Sequence, residues 1–174
     1  MARKKKGLPF VVQPRLQPIV EKIGTEESGV IEIERRGYLS VAEKAIVGQA
    51  TQGDDSIRKM YALGGRIARE TGKQQLEVMQ DLMQQERPDY MDSWEDEILE
   101  CMIEMLAYQE RVDIVQATAL IICRLDNSWT VEQSMDLHPD LVKMLSKFYS
   151  EEDSREVEAL EAAVQQNTGA EGKS

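Results

Sequence analysis

From Ser40 to Ser150 the chain is punctuated almost throughout by helix starts and stops, and that punctuation commits it to a helical fold. Ser40 and Glu43 form a capping box, each side chain answering an amide that the first helical turn leaves unpaired. The helix they open runs to about Gln52 and stops at Gly53. Asp55 or Ser56 caps the next, with an apolar face of Ile57, Met60, Tyr61, Gly64, Ile67 and Ala68. Gly72 ends it, because glycine turns left-handed at no steric cost. A third helix shows Leu76, Met79, Leu82 and Met83 and stops before Pro88, whose ring disfavours helix in the residue ahead of it. Ser93 caps a long helix with Trp94, Ile98, Met102 and Met105 on one face. Asp96, Glu100 and Glu104 follow one another at intervals of four on another face. Around Arg111 the pattern turns apolar almost all round through Leu125, which predicts a central, buried helix. Thr130 with Gln133 opens a short helix, and Pro139 suits the first position of one presenting Leu141, Met144, Leu145 and Phe148. Ser150-Glu151-Glu152-Asp153 predicts a last, acidic helix, its carboxylates near the positive end of the dipole.

One segment breaks this period. Val30-Ile31-Glu32-Ile33-Glu34 alternates apolar and acidic, the pattern of a half-buried strand, and Gly37 closes it with a turn. A lone strand is unstable, so it needs a partner: Phe10-Val11-Val12, or another subunit. Pro14, Pro18, Gly24 and Gly29 forbid a long helix before it, leaving room for one helical turn around Pro18 to Ile23. The reading is a mainly α chain: a single helical domain of about six to seven helices, one short N-terminal strand or hairpin, and flexible termini. Residues 1–10 read as a basic flexible arm, 11–165 as the helical domain with its strand near 30–34, and 166–174 as a disordered tail.

Charge narrows the partners. The net charge is −11, yet the first seven residues hold Arg3, Lys4, Lys5 and Lys6 and no acid, so the acidic excess falls on the rest. An acidic body repels phosphates, whose binding needs clustered Lys and Arg, so nucleic acid is not an expected partner. No apolar run reaches the ~20 residues that cross a bilayer, so no membrane partner is expected either. The basic start is followed by Pro9, Pro14 and Pro18 rather than by an apolar signal segment. Cys101 and Cys123 lie inside apolar helical patterns and read as buried free thiols, which suits a soluble protein in a reducing cytoplasm.

Reactive constellations fail on composition. The Asp96, Glu100, Glu104 ladder looks like one rail of a di-iron bundle, but that site needs Glu-x-x-His pairs from two helices. The chain has one histidine, His138, which reads as a residue at the mouth of the helix that Pro139 begins. Gly65 with Thr71-Gly72-Lys73 is too long by two for a phosphate loop, and Gln74 replaces the hydroxyl that holds magnesium. No catalytic, cofactor or metal residue is assigned, and the chain is not expected to be an enzyme. What remains is surface. Residues 89–113 carry nine acids against Arg111 alone, either for plain solubility or as a face for a basic or helical partner. Met79, Met83, Met91, Met102 and Met105 either pack the core or line an adaptable groove for helical targets, and they are the candidate partner-binding residues.

Two stretches, taken as wholes, resemble a known family. One runs from Gly29-Val30-Ile31-Glu32-Ile33 through Arg35-Arg36-Gly37-Tyr38-Leu39-Ser40-Val41-Ala42-Glu43-Lys44. The other runs from Ala117-Thr118-Ala119-Leu120-Ile121 through Arg124-Leu125, Trp129-Thr130, Glu132 and Leu137-His138-Pro139. Together they resemble the tail assembly chaperones of long-tailed bacteriophages and prophages, over roughly residues 20–150. The resemblance implies a non-enzymatic protein of the host cytoplasm, absent from the finished virion. Such a protein coats the helical, aggregation-prone tape measure protein and helps recruit tail tube subunits, and can form a homo-oligomer. It transfers no catalytic residue and no defined contact motif. It also implies that Gly172-Lys173, which purine-only codons can encode, marks a slippery site where some ribosomes shift frame and append a second domain. Two other readings stay open: a virion structural or adaptor protein, and an acidic mimic of nucleic acid.

Overall fold

The computed structural model describes residues 19–84 and 87–170, with side chains to residue 158. An antiparallel hairpin, β1 (Ile19–Thr25) and β2 (Gly29–Arg35), precedes six α-helices. These are α1 (Val41–Thr51), α2 (Ser56–Thr71), α3 (Gln75–Leu82), α4 (Glu95–Arg124), α5 (Val131–Met135) and α6 (Pro139–Ala170). A 3-10 helix, Asp89–Trp94, leads into α4. The mainly α fold with one N-terminal hairpin is therefore the fold of the described residues.

The strand falls where the alternation places it, but its partner does not. Ile19–Thr25 is β1 rather than a helical turn, and it pairs Ile23 with Ile31 and Glu21 with Ile33. Phe10-Val11-Val12, the partner expected within the chain, lies outside the described residues. Strand wins over helix because Ile19, Glu21 and Ile23 alternate in register with Ile31, Ile33 and Arg35, and burying Ile23 and Ile33 stabilises more than one helical turn could. Across the hairpin loop the Thr25 amide donates to Ser28 Oγ at 2.9 Å and the Ser28 amide to Thr25 Oγ1 at 3.1 Å. Gly24 sits at φ 113°, a conformation that side chains rarely adopt.

The capping boxes at Ser40 and Thr130 both form, and Gly72 closes α2 in the left-handed region. Asp55 makes no side-chain cap; Asp54 instead accepts from the Ser56 amide at 2.9 Å. Ser93 is not a cap either, because the chain has already begun to wind as 3-10 helix at Asp89. Ser150 starts no new helix. It lies within α6, where its carbonyl accepts from Ser154 Oγ at 2.9 Å, and the buried face of Leu145, Phe148, Tyr149 and Glu152 runs straight across the expected boundary. The basic arm of residues 1–10 lies outside the described residues. The tail expected from residue 166 falls partly on the end of α6 and partly outside them.

Two cores hang on α4, which at ~1.5 Å per residue is roughly 45 Å long. Around its C-terminal half, Ala117, Ala119, Leu120 and Ile121 pack with Ile23 and Ile33 of the hairpin, Leu39, and Leu141, Leu145 and Phe148 of α6. Around its N-terminal half, Ile98 packs with Met60, Leu63 and Ile67 of α2, Val78 and Leu82 of α3, and Met91. On α2 and α3 the buried stripes are rotated from the expected ones: Leu63 and Val78 face inward, while Ile57, Tyr61, Leu76 and Met83 are exposed.

The end of α4 carries a buried charge cluster. The Arg124 side chain is 0% exposed and meets two carboxylates that are equally enclosed, Glu43 of α1 and Glu152 of α6. Arg124 Nη1 also donates to the Glu34 carbonyl at 2.6 Å, and Nη2 to the Tyr38 carbonyl at 3.3 Å. Glu152 accepts from the Arg36 and Gly37 amides at 3.0 and 3.1 Å, so the turn after β2 is clamped from both sides. Arg35 extends the cluster to Glu21 and Glu151 and lies 4.4 Å over the Phe148 ring. Burial pushes the Glu43 carboxyl up, but Arg124 and the Ser40 amide outweigh it and hold the group below its ordinary 4.5.

Three outcomes follow. Arg124→Ala strands two buried carboxylates and costs about 3–5 kcal/mol in urea unfolding. A carboxyl held low by folding stabilises the chain above its unfolded value and stops doing so as pH falls through the folded one. The melting midpoint therefore drops as the pH is lowered below about 4.5, and Glu43→Gln, though less stable at neutral pH, drops less. Gly24→Ala places a Cβ 2.0 Å from the Gly29 carbonyl oxygen, and urea titration reads a loss of about 1–3 kcal/mol.

Candidate functional site

The residues singled out for partner binding divide on burial. Met91 is buried at 2% exposure, and Met79, Met102 and Met105 pack partly buried against the core on the N-terminal half of α4. Met83, just past the end of α3, is exposed. Core packing thus engages four of the five. The carboxylate ladder of α4 also divides. Glu104 bonds Lys59 Nζ at 2.6 Å, and neighbouring Glu97 pairs with Arg66, which joins α2 to α4. Among the described residues, Asp96, Glu100 and Glu110 stand in no ion pair.

The open apolar surface lies elsewhere on α4. Leu99, Ile103 and Leu106 are 55%, 59% and 68% exposed. Their spacing of four and three aligns them along one face, about 100° round the helix from Ile98. Ala117, Ile121 and Arg124 lie on the same face five turns further on, at ~3.6 residues per turn. There the hairpin, α1 and α6 cover it. A single stripe thus runs the length of α4, enclosed in its second half and open in its first.

The open half leads into a groove. Leu106 and Ile114 of α4, Met135 and Leu137 around α5, and Pro139 and Val142 at the start of α6 line a cavity of about 400 Å³. Glu110 and Asp113 stand on its α4 side and Lys143 on its α6 side. Asp113 accepts from Ser146 Oγ at 2.6 Å and Gln109 Nε2 at 2.9 Å, so neutral donors hold it in place. α5 is positioned by its capping box and by Ser134, whose hydroxyl meets Thr118 Oγ1 at 2.7 Å and accepts from Trp129 Nε1 at 2.8 Å. His138 serves the mouth of α6, its Nδ1 accepting from the Asp140 amide at 3.2 Å.

Sequence reasoning missed the stripe, although its signal was present. Leu99, Ile103 and Leu106 repeat at helical spacing roughly a third of a turn round from Trp94, Ile98, Met102 and Met105, so the helix is apolar on two adjoining sides. Only one side is needed for a core that lies on one flank. Burial raises both thiols, Cys101 and Cys123, above their ordinary 9.0, which disfavours the reactive thiolate. Among the described residues no His, Cys, Asp and Glu cluster could hold a metal ion, and no helix is long and apolar enough to cross a membrane.

Burial sets a test of which face does which work. Replacing Leu99, Ile103 and Leu106 together by Gln leaves urea stability within roughly 0.5 kcal/mol per site, because the side chains are already in water. Ile98→Ala, one position away, costs about 2–5 kcal/mol. The same triple variant should lower binding of a dye that reports exposed apolar surface.

No family model matches the sequence, and no curated protein or solved structure is similar to it.

Proposed function

We propose that this protein is a tail assembly chaperone of the kind its sequence resembles: a non-enzymatic protein of the host cytoplasm, absent from the mature virion. It binds the tape measure protein and helps recruit tail tube subunits around it. The observation that carries the reading is the open stripe of Leu99, Ile103 and Leu106 with the groove that continues it. A long helical ruler exposes apolar stripes that must be shielded until the tube encloses them, and an unpartnered apolar helix face shields one by packing against it. Asp96, Glu100 and Glu110, beside that face, keep it soluble and favour a partner with basic flanks. A short stripe covers only a few turns of a helix, so several copies bind along one ruler. A nucleic-acid mimic would need acids spaced like phosphates over a polar face, and here the acids border Leu and Ile.

Co-expression with the tape measure protein tests the proposal. The expected result is a soluble complex holding several copies of this chain for each ruler. The triple Gln variant at Leu99, Ile103 and Leu106 releases the ruler, while neutralising Asp96, Glu100 and Glu104 lowers the solubility of the complex and leaves its affinity largely intact. A tape measure protein that stays insoluble, with this chain recovered in purified particles, would establish the structural or adaptor reading instead.

A further inference from the structure

The stripe and the groove differ in what they can choose. Leu99, Ile103 and Leu106 form an exposed ridge, which packs against an apolar helix face with little preference among sequences. The groove is walled by α4, α5 and α6, so it has a size and a lining of its own. We propose that the groove is the selective part of this surface. It takes one bulky apolar side chain, leucine to phenylalanine in size, from a basic amphipathic helix that lies along the stripe. The proposal rests on that surface being a docking face, and not on the partner's being a tape measure protein.

Continuity carries the first step. Leu106 is both the last residue of the stripe and a wall of the groove. The ladder of 99, 103 and 106 steps next to Glu110, so on α4 itself the apolar face ends in a carboxylate. Beyond it the apolar surface continues across the gap, on Met135, Leu137, Pro139 and Val142. A partner helix with anchors at the same spacing therefore sets its fourth one over the groove. Shape and rigidity carry the second step. A cavity of about 400 Å³ has room for a large side chain rather than for another helix. Its α5 wall is fixed in advance: Ser134 Oγ accepts from Thr118 Oγ1 at 2.7 Å and from Trp129 Nε1 at 2.8 Å. A wall already ordered lowers the cost of binding. Met135, 65% exposed at the lip, is unbranched and adapts to the anchor it meets. Charge carries the third. Asp96, Glu100 and Glu110 stand in no ion pair among the described residues, so lysines and arginines around the anchors meet them and an acidic helix is repelled. The stripe thus supplies affinity and the groove supplies preference. Copies on a long helical partner settle where a bulky residue follows an apolar stripe, rather than at every turn.

The test uses the full chain with its methionine methyls labelled with carbon-13, and a synthetic amphipathic helix as the probe. The probe carries leucines at i, i+4 and i+7, a phenylalanine at i+11 and lysines on its other faces. Its reversed sequence is run beside it, since an antiparallel helix presents the same ladder. The expected result is that at least one of the two moves the Met135 methyl resonance, while buried Met91 and exposed Met83, neither in the groove lining, stay where they are. Alanine in place of the phenylalanine should weaken binding about tenfold, and glutamates in place of the lysines several-fold. Leu99→Asn/Ile103→Asn should weaken the phenylalanine and alanine probes alike and leave their ratio unchanged. Met135→Ser, at an exposed position, should lower that ratio several-fold and keep its circular dichroism. Equal binding of the two probes by the unaltered protein, or an unmoved Met135 methyl, would overturn the proposal. So would a Met135 shift on raising the protein concentration without any probe, which makes a second copy the occupant. If the preference is found and the tape measure protein still stays insoluble, only the functional reading falls. If the soluble complex forms and the preference is missing, only the selective groove falls.

Discussion

Everything at one end of this molecule turns on the guanidinium of Arg124. It is withdrawn from water together with Glu43 and Glu152, and each of those carboxylates comes from a different helix. Removing three charges from water is expensive, and their attraction offsets that cost only if nearly every donor and acceptor is used. Here they are used on the backbone. Arg124 takes the carbonyls of Glu34 and Tyr38, and Glu152 takes the amides of Arg36 and Gly37. The turn between β2 and α1 has no apolar side chain able to do this. A slip of one residue in the hairpin would leave the guanidinium facing amides and the carboxylates facing carbonyls. The cluster therefore sets the register of β2, α1, α4 and α6 against one another, which hydrophobic burial, being non-directional, cannot do.

That arrangement has a consequence for α4. Its C-terminal half is surrounded by the hairpin, α1 and α6, which Arg124 ties together, and by α5, which Ser134 ties to Thr118. Among the described residues its N-terminal half packs on one flank with α2, α3 and the 3-10 helix, tied there by Glu97 with Arg66 and Glu104 with Lys59. The same helical face is thus core at Ala117 and Ile121 and open at Leu99 and Ile103. The open stripe is where a two-core protein built on one long helix runs out of elements to cover it.

The legible part of the fold was the part written in local chemistry. Ser40 with Glu43, Thr130 with Gln133, Gly72 and Pro139 mark their helix ends because capping is a contest among a few neighbouring groups. The Val30 to Glu34 alternation marks β2 for the same reason. Tertiary partners lie beyond local reach. Ile19–Thr25 becomes a strand only because β2 lies beside it, and Ser150, a good cap in isolation, is overridden by the buried face of Leu145, Phe148, Tyr149 and Glu152 that α6 carries across it. Arg35, Arg36, Glu43 and Arg124 lie in segments that the sequence marks as β2 and its turn, α1 and α4. Nothing in their spacing says that residues 43, 124 and 152 meet, since that contact is closed by the packing of three helices.

The candidate surface failed to be read for a related reason. Methionine at helical spacing signals adaptability, but adaptability serves a core fed by short helices as well as it serves a groove. Met91 and Met102 fill the space that α2 and α3 leave against α4. Leucine and isoleucine, stiffer and more costly to expose, carry more information when they stand in water. Three of them aligned on one helix, beside three acids with no ion-pair partner among the described residues, form a face whose apolar part gains by being covered and whose charged part resists covering by another acidic surface. A second copy presenting the same face would bring like charges together. A basic amphipathic segment meets neither obstacle, and that asymmetry, more than the depth of any pocket, decides what kind of chain can lie there.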